Sequence, residues 1–378
     1  MTFVLSEDQQ MLRDTALSFA ADTLPVTYLR GQRDAGHQGA DATSRASLAE
    51  LGFYGVLVAE EFGGSEFGMV GMGQILEALG RTLAPSALIQ SGVIAASAIG
   101  MAGTEAQKAD YLPKIASGEL IAALALDEGA HFAPTAVATE AESNGQGYTL
   151  NGAKRYVPNG HEAGFFIIAA RTFGEAGDAH GITLFLVPAD ADGLTVQALN
   201  TVDSHGAAHL CLDGVRVGPD QVLGDVDKAT DILGPVLDRA AIAQAAEILG
   251  SAQAAFDMTL DYLQTRKQFG QLIGSFQGLQ HRAAKMFTDL EMTRSCVAAA
   301  LSAVDDGAAN VSELASLAKA KASELVHLVS NETVQMHGGI GMTDEHDSGL
   351  YMKRARVQEA LWGGASYHRD RYARLGGY

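Results

Sequence analysis

Apolar positions near the start of the chain follow a helical period. Leu12, Ala16 and Phe19 stand at i, i+4 and i+7 and line one stripe. Ahead of them Ser6-Glu-Asp-Gln9 has the spacing of a capping box, in which the Ser oxygen accepts from the third helical amide and Gln9 reaches back. Pro25 ends this helix or opens a new turn. Residues 31–43, with Gly36 and Gly39 among polar neighbours, read as a surface loop. Helical patterns then cover about 44–51, 70–83, 87–100 and 105–117. Near residue 118 the period changes. Up to about 223 the chain runs in short apolar pieces, 121–126, 136–142, 147–150, 165–171, 182–188, 194–199 and 208–217, broken by Gly, Asn and Asp. Asn151-Gly152 and Asn159-Gly160 are hairpin signals, since both residue types tolerate positive φ. Short strands at this spacing predict a compact β barrel or sandwich. Long helical patterns return over 229–266, 275–305, 311–337 and 348–375, and a four-helix bundle accounts for them. The predicted fold is mainly α with a β domain (α+β): an N-terminal helical domain over 1–118, a middle β barrel over 119–226 and a C-terminal four-helix bundle over 227–378.

Composition narrows the function. With 378 residues, 47% of them apolar and 19% charged, the chain has material for two or three packed domains and no sign of disorder. A net charge of −19, from 26 basic and 45 acidic residues, argues against a nucleic-acid partner, which needs a basic face. No apolar run reaches the roughly 18 to 20 residues that span a bilayer, and the acidic start is unlike a signal peptide. A cytoplasmic protein is therefore expected. Cys211 and Cys296 are too few for a disulfide framework or a zinc site, and both are expected to be buried, reduced thiols. No metal site is predicted.

Two long motifs carry the chemistry. The first is Asp261-Tyr-Leu-Gln-Thr-Arg-Lys-Gln-Phe-Gly270, followed by Ile273-Gly-Ser-Phe-Gln277; the second is Gln335-Met-His-Gly-Gly-Ile-Gly-Met-Thr343. Weaker patterns, Tyr111-Leu-Pro-Lys-Ile-Ala-Ser-Gly-Glu119 and Gly147-Tyr-Thr-Leu-Asn-Gly-Ala-Lys154, precede them in order. Together they span essentially the whole chain and resemble the acyl-CoA dehydrogenase family. The resemblance implies FAD as cofactor and an acyl-CoA thioester as substrate, with a carboxylate removing the α proton while a β hydride leaves for the flavin. It also implies an electron-transfer flavoprotein as acceptor. By the same resemblance Arg266 meets the FAD diphosphate, which suits a planar, permanently charged guanidinium. Gln268 and Phe269 are its neighbours, and Gln335, Gly338 and Gly339 face the adenine side of a partner subunit's FAD. Read without the resemblance, Arg266-Lys-Gln is a solvated helix end, and His337 is a helix-end histidine satisfied within the protein.

The chain departs from the family where the flavin and the base are concerned. The usual Thr-Glu-Pro and Gly-Ser-Asp turn reads Leu126-Asp-Glu-Gly-Ala-His-Phe132, so Asp127 takes the place of the Thr. The stacking Trp-Ile-Thr reads Tyr156-Val-Pro158; Tyr156 can still stack, but Pro158 has lost the hydroxyl and its amide donor. The common base position, in Leu361-Trp-Gly-Gly-Ala-Ser-Tyr367, is Gly363. An alternative base position falls on Ala240, with Asp238 and Glu247 nearby. These two carboxylates are nine residues apart, on opposite faces of one helix at about 100° per residue, so they cannot both serve one thioester. Asp238 is the preferred candidate. A helix-start role for Asp238, and a structural pair with a basic residue of the bundle for Glu247, remain as alternatives. The C-terminal run is similar to small subunits of heteromeric acyl-CoA dehydrogenases of the pimeloyl-CoA and steroid side-chain type. A homotetramer or a heterotetramer with a paralogue is expected, and in the second case this chain is either active or a catalytically silent partner. An oxygen-using oxidase on the same fold is a third reading.

Overall fold

A computed structural model describes residues 4–378. The chain begins with α1 (Glu7–Thr23), α2 (Val26–Asp34), α3 (Ala42–Glu50), α4 (Gly68–Arg81), α5 (Ala96–Ala102) and α6 (Glu105–Ala116). Strands β1 (Ala122–Ala125), β2 (Glu140–Ser143), β3 (Tyr148–Pro158), β4 (Phe165–Arg171), β5 (Ile182–Pro188), β6 (Leu194–Leu199), β7 (Ala207–Val217) and β8 (Val222–Leu223) follow. The long helix α7 (Ala229–Thr265) leads into the short hairpin of β9 (Lys267–Gln268) and β10 (Gln271–Leu272). The chain ends with α8 (Gln277–Asp305), α9 (Val311–His337), α10 (Ser348–Gln358) and α11 (Ala365–Leu375). It divides into two compact units: one holds the chain up to Asp34, Met69–Ala84 and Ala241–Tyr378, and the other holds Ala35–Gly68 and Pro85–Ala240. No described helix is long and apolar enough to cross a membrane.

In the helical unit, Phe256, Leu263, Met286, Leu290, Val329 and Tyr351 belong to one buried cluster. Glycine lets α4 and α7 touch backbone to backbone. A Cβ on Gly250 would lie 1.9 Å from the Glu77 carbonyl oxygen, and one on Gly80 would lie 2.1 Å from that of Glu247. The Asp305 carboxylate accepts from the amides of Met69 (2.6 Å) and Val70 (2.9 Å), so the free donors at the start of α4 are met from the end of α8. The capping box at Ser6 and Gln9 forms as the sequence predicts. Two expectations change. Helix α2 continues through Gly31 to Asp34, which shortens the predicted 31–43 loop. The single helix predicted over 348–375 is two, because Trp362 (φ 58°) and Gly363 (φ 94°) enter the left-handed region and stop the helical ladder. Lys319, fully buried on α9, fixes this break: its ammonium donates to Ser323 Oγ (2.9 Å) and to the carbonyls of Gln358 (3.2 Å) and Gly363 (2.9 Å).

In the other unit the described strands form one eight-stranded mixed sheet ordered β6-β7-β3-β2-β4-β5-β8, with β1 parallel to β4. The ladder ends at β6 and β8, and no pairing that would close a barrel is seen among the described residues. The amides of β1 that β4 leaves free are met by a π-helical segment, Leu88–Ala95. Its Ser91 hydroxyl accepts from the Ala122 amide (3.2 Å) and its Gln90 side-chain Oε1 from the Leu124 amide (2.8 Å). Strand positions fall close to those the apolar pieces predict, but the hairpin signals do not make hairpins. Asn151-Gly152 sits inside β3 at a bulge, where Gly152 has φ 150° and a Cβ would meet Thr139 Oγ1 at 2.6 Å. Asn159-Gly160 turns the chain between β3 and β4, which are not neighbours because β2 lies between them. Cys211 is exposed rather than buried, since the alternation along β7 puts Leu210 and Leu212 inside and Cys211 out; Cys296 is half-buried, and both thiols are free.

Candidate active site

Each unit gathers part of the predicted site. In the helical unit α7 ends at Thr265 and the chain turns at once through β9 and β10. The two residues between those strands, Phe269 (φ 52°) and Gly270 (φ 78°), both have positive φ, as a tight hairpin requires. This turn places Arg266, Gln268 and Phe269 on the surface, with Phe269 90% exposed. The Arg266 guanidinium has no hydrogen bond or ion pair among the described residues. Its backbone is held by an amide bond to the Tyr262 carbonyl (2.9 Å) and by the Ile273 amide (2.9 Å). The ring of Tyr262 lies 4.5 Å from that of His337, so the last turns of α7 and α9 meet. Gln335, Gly338 and Gly339, all exposed, therefore lie at the same end of the unit as Arg266. A Cβ on either glycine would meet no atom within 4 Å. His337 is buried, with Nδ1 bonded to the Thr333 carbonyl (2.7 Å), and burial pushes its pKa down.

In the sheet unit Asp127 follows β1 and is partly buried, and its carbonyl oxygen accepts from the Arg155 amide (2.7 Å). That bond brings Asp127 beside Tyr156, which is 58% exposed, has φ 50° and donates its amide to His209 Nδ1 (3.2 Å). Sequence reasoning missed the pair that organises this corner. Lys154 is fully buried and donates to Glu128 Oε1 (2.6 Å), and the Glu128 carboxylate also accepts from the amides of Ala138 (2.8 Å) and Thr139 (3.0 Å). The only sequence signal was Lys154 on an otherwise inward-facing position of β3.

The candidate bases differ in their surroundings. Glu247 on α7 is buried and bound on both oxygens. Oε1 accepts from Arg354 Nη2 (2.6 Å), Arg354 Nε (3.2 Å) and Gln358 Nε2 (3.1 Å), while Oε2 accepts from Gln244 (3.1 Å). Asp238 lies earlier on α7 and is also buried. Gly363 has no room for a side chain: a Cβ there would lie 2.6 Å from Tyr367 Cδ1 and 3.0 Å from His368 Nε2. His368 Nε2 in turn bonds the Trp362 carbonyl (2.8 Å), which fixes the same turn.

These residues fit a flavin dinucleotide. An unpaired, exposed guanidinium suits a diphosphate, two glycines leave open space for a flat ring, and exposed amides offer donors. In the helical unit Arg266, Gln268 and Gln335 would hold the phosphate and adenine side of such a group; in the sheet unit Asp127 and Tyr156 would meet a flavin ring. Three family models match the chain in series: the acyl-CoA dehydrogenase N-terminal domain over residues 6–119, the middle domain over 125–215 and the C-terminal domain over 231–375. Short/branched chain specific acyl-CoA dehydrogenase of Bos taurus is 31% identical across 93% of this chain and 82% of its own length. The butyryl-CoA dehydrogenase of Megasphaera elsdenii superposes with a TM-score of 0.92 at 27% identity, covering 100% of both chains. The ChsE4-ChsE5 complex of Mycobacterium tuberculosis gives 0.90 at 28% identity, over 100% of this chain and 99% of that one. The protein belongs to the acyl-CoA dehydrogenase family. It is an oxidoreductase that uses FAD to dehydrogenate an acyl-CoA at the α and β carbons.

Proposed function

We infer that Asp238 takes the α proton of the acyl-CoA thioester. The observation that carries this is the state of its rivals: both oxygens of Glu247 are held by Arg354, Gln358 and Gln244, and position 363 is packed against Tyr367. When bound, FAD supplies the acceptor for the β hydride. Arg266 would hold its diphosphate, with Gln268 and Phe269 beside it, and Gln335, Gly338 and Gly339 would face the adenine side of a partner subunit's FAD. Asp127 and Tyr156 would orient the ring, and the thioester α proton would pass to an Asp238 carboxylate oxygen. The three-part division at 118/119 and 226/227 and closure of the strands into a barrel belong to the same reading. So does assembly as a tetramer, cytoplasmic, with an electron-transfer flavoprotein as acceptor, in fatty acid or steroid breakdown. Deuterium exchange tests the base. In D2O the protein should wash deuterium into the α position of a saturated 3-thia-acyl-CoA, and Asp238→Asn should lose this. Exchange that survives in Asp238→Asn but vanishes in Glu247→Gln would move the base to Glu247.

A second reading is favoured by the closed Gly363 turn: this chain is the catalytically silent member of a heterotetramer and lends Arg266 and the 335–339 loop to a paralogue's flavin. Under it the lone chain exchanges no α proton and the complex does.

A further inference from the structure

The end of β1 is pinned on both sides of Asp127. The Leu126 carbonyl accepts from Lys154 Nζ (3.2 Å), the Asp127 carbonyl from Arg155 N (2.7 Å), and the Glu128 carboxylate takes the Lys154 ammonium and two further amides. The Asp127 side chain is left out of this network. Its Oδ1 receives only the Ala133 amide, at 3.4 Å, and its Oδ2 has no partner among the described residues. The nearest cation is Lys154, which is fully buried and bonded to Glu128. Glu128 itself adds negative charge beside the carboxyl. Arg155 is the next residue along β3 from Lys154, and His209 on β7 packs edge-on to Tyr156 at 4.9 Å. The backbone of residues 126–128 thus presents a carboxyl that no cation hydrogen-bonds, on a residue whose carbonyl is bonded to Arg155, the neighbour of the exposed Tyr156.

We propose that Asp127 is a proton-gated hydrogen-bond partner of the flavin, donating to a ring acceptor when protonated and losing that donor when ionised. This rests on the FAD reading above and adds to it a residue whose charge state sets cofactor affinity. Burial, only partly offset by the Ala133 amide and the Lys154 charge, pushes the Asp127 carboxyl up to about 6, so both forms are populated over an accessible range. In the ionised form a carboxylate only accepts, so the donated bond is lost and the anion faces electron-rich ring atoms. Lys154 and Glu128 are positioning residues, which hold the backbone of residues 126–128 without touching the ring.

The test is FAD affinity of the purified native assembly, by flavin fluorescence quenching, between pH 5 and 8. The wild type should bind about tenfold more weakly at pH 8 than at pH 5, with the change centred near 6. Asp127→Asn and Asp127→Thr keep a donor at every pH and should bind with the pH 5 affinity throughout. A flat wild-type profile, or the same pH dependence in both variants, would overturn the proposal while leaving the FAD site intact. Failure of all three proteins to bind FAD at any pH would overturn the flavin reading and this inference with it.

Discussion

Replacing Glu247 separates a structural carboxylate from a catalytic one. The Glu247 and Arg354 side chains are 9% and 7% exposed and meet at 2.6 Å, and Gln358 and Gln244 complete the carboxylate's bonds. Removing one partner of a buried ion pair costs about 3–5 kcal/mol. Glu247→Gln keeps the shape and some hydrogen bonds, so a loss near about 3 kcal/mol is expected. Replacing both residues, as Glu247→Leu with Arg354→Met, removes both halves of the pair, and most of the stability should return. Urea unfolding followed by far-UV circular dichroism reads this as a shift in midpoint at unchanged slope. Glu247→Gln within about 0.5 kcal/mol of the wild type would refute the reasoning, because changes of that size are typical of exposed sites.

Gly363→Glu should not restore the family's usual base, because its Cβ meets Tyr367 at 2.6 Å in a backbone with φ 94°; lower thermal stability and no gain in α-proton exchange are expected. Burial pushes the Lys319 ammonium down to about 7 from an ordinary 10.5, so between those values the unfolded chain holds more protons than the folded one. Stability should therefore rise with pH above about 7, and denaturant melts of Lys319→Met should lack that part of the rise. Gly250→Ala should cost about 1–3 kcal/mol or more in the same melts, since its methyl would sit 1.9 Å from a carbonyl oxygen that α4 cannot move aside cheaply.

Periodicity located most elements, because amphipathic stripes and short apolar runs are local properties of sequence. It failed where distant groups decide the backbone. Asn151-Gly152 has the chemistry of a hairpin, yet Thr139 on the neighbouring segment makes it a bulge. The break between α10 and α11 depends on Lys319, some 40 residues earlier, whose place in an Ala-rich helix gives no hint of the carbonyls it binds. At the candidate site the run around Arg266 stood out only through its likeness to a family motif; the hairpin of β9 and β10 that exposes the guanidinium was not read from the sequence. The tie between Glu247 and Arg354 could be framed from sequence only as a pair with some basic residue of the bundle. Its partner lies 107 positions away, and no spacing rule reaches that far.

The account turns on Arg266 holding the FAD diphosphate, and flavin content measures this directly. Wild-type assembly should carry bound FAD that bleaches when acyl-CoA is added without oxygen. Arg266→Ala should weaken FAD binding by roughly 10- to 100-fold, as loss of charge-assisted bonds worth about 1.5–3 kcal/mol implies. FAD affinity unchanged by Arg266→Ala, or an assembly that holds no flavin at all, would contradict it.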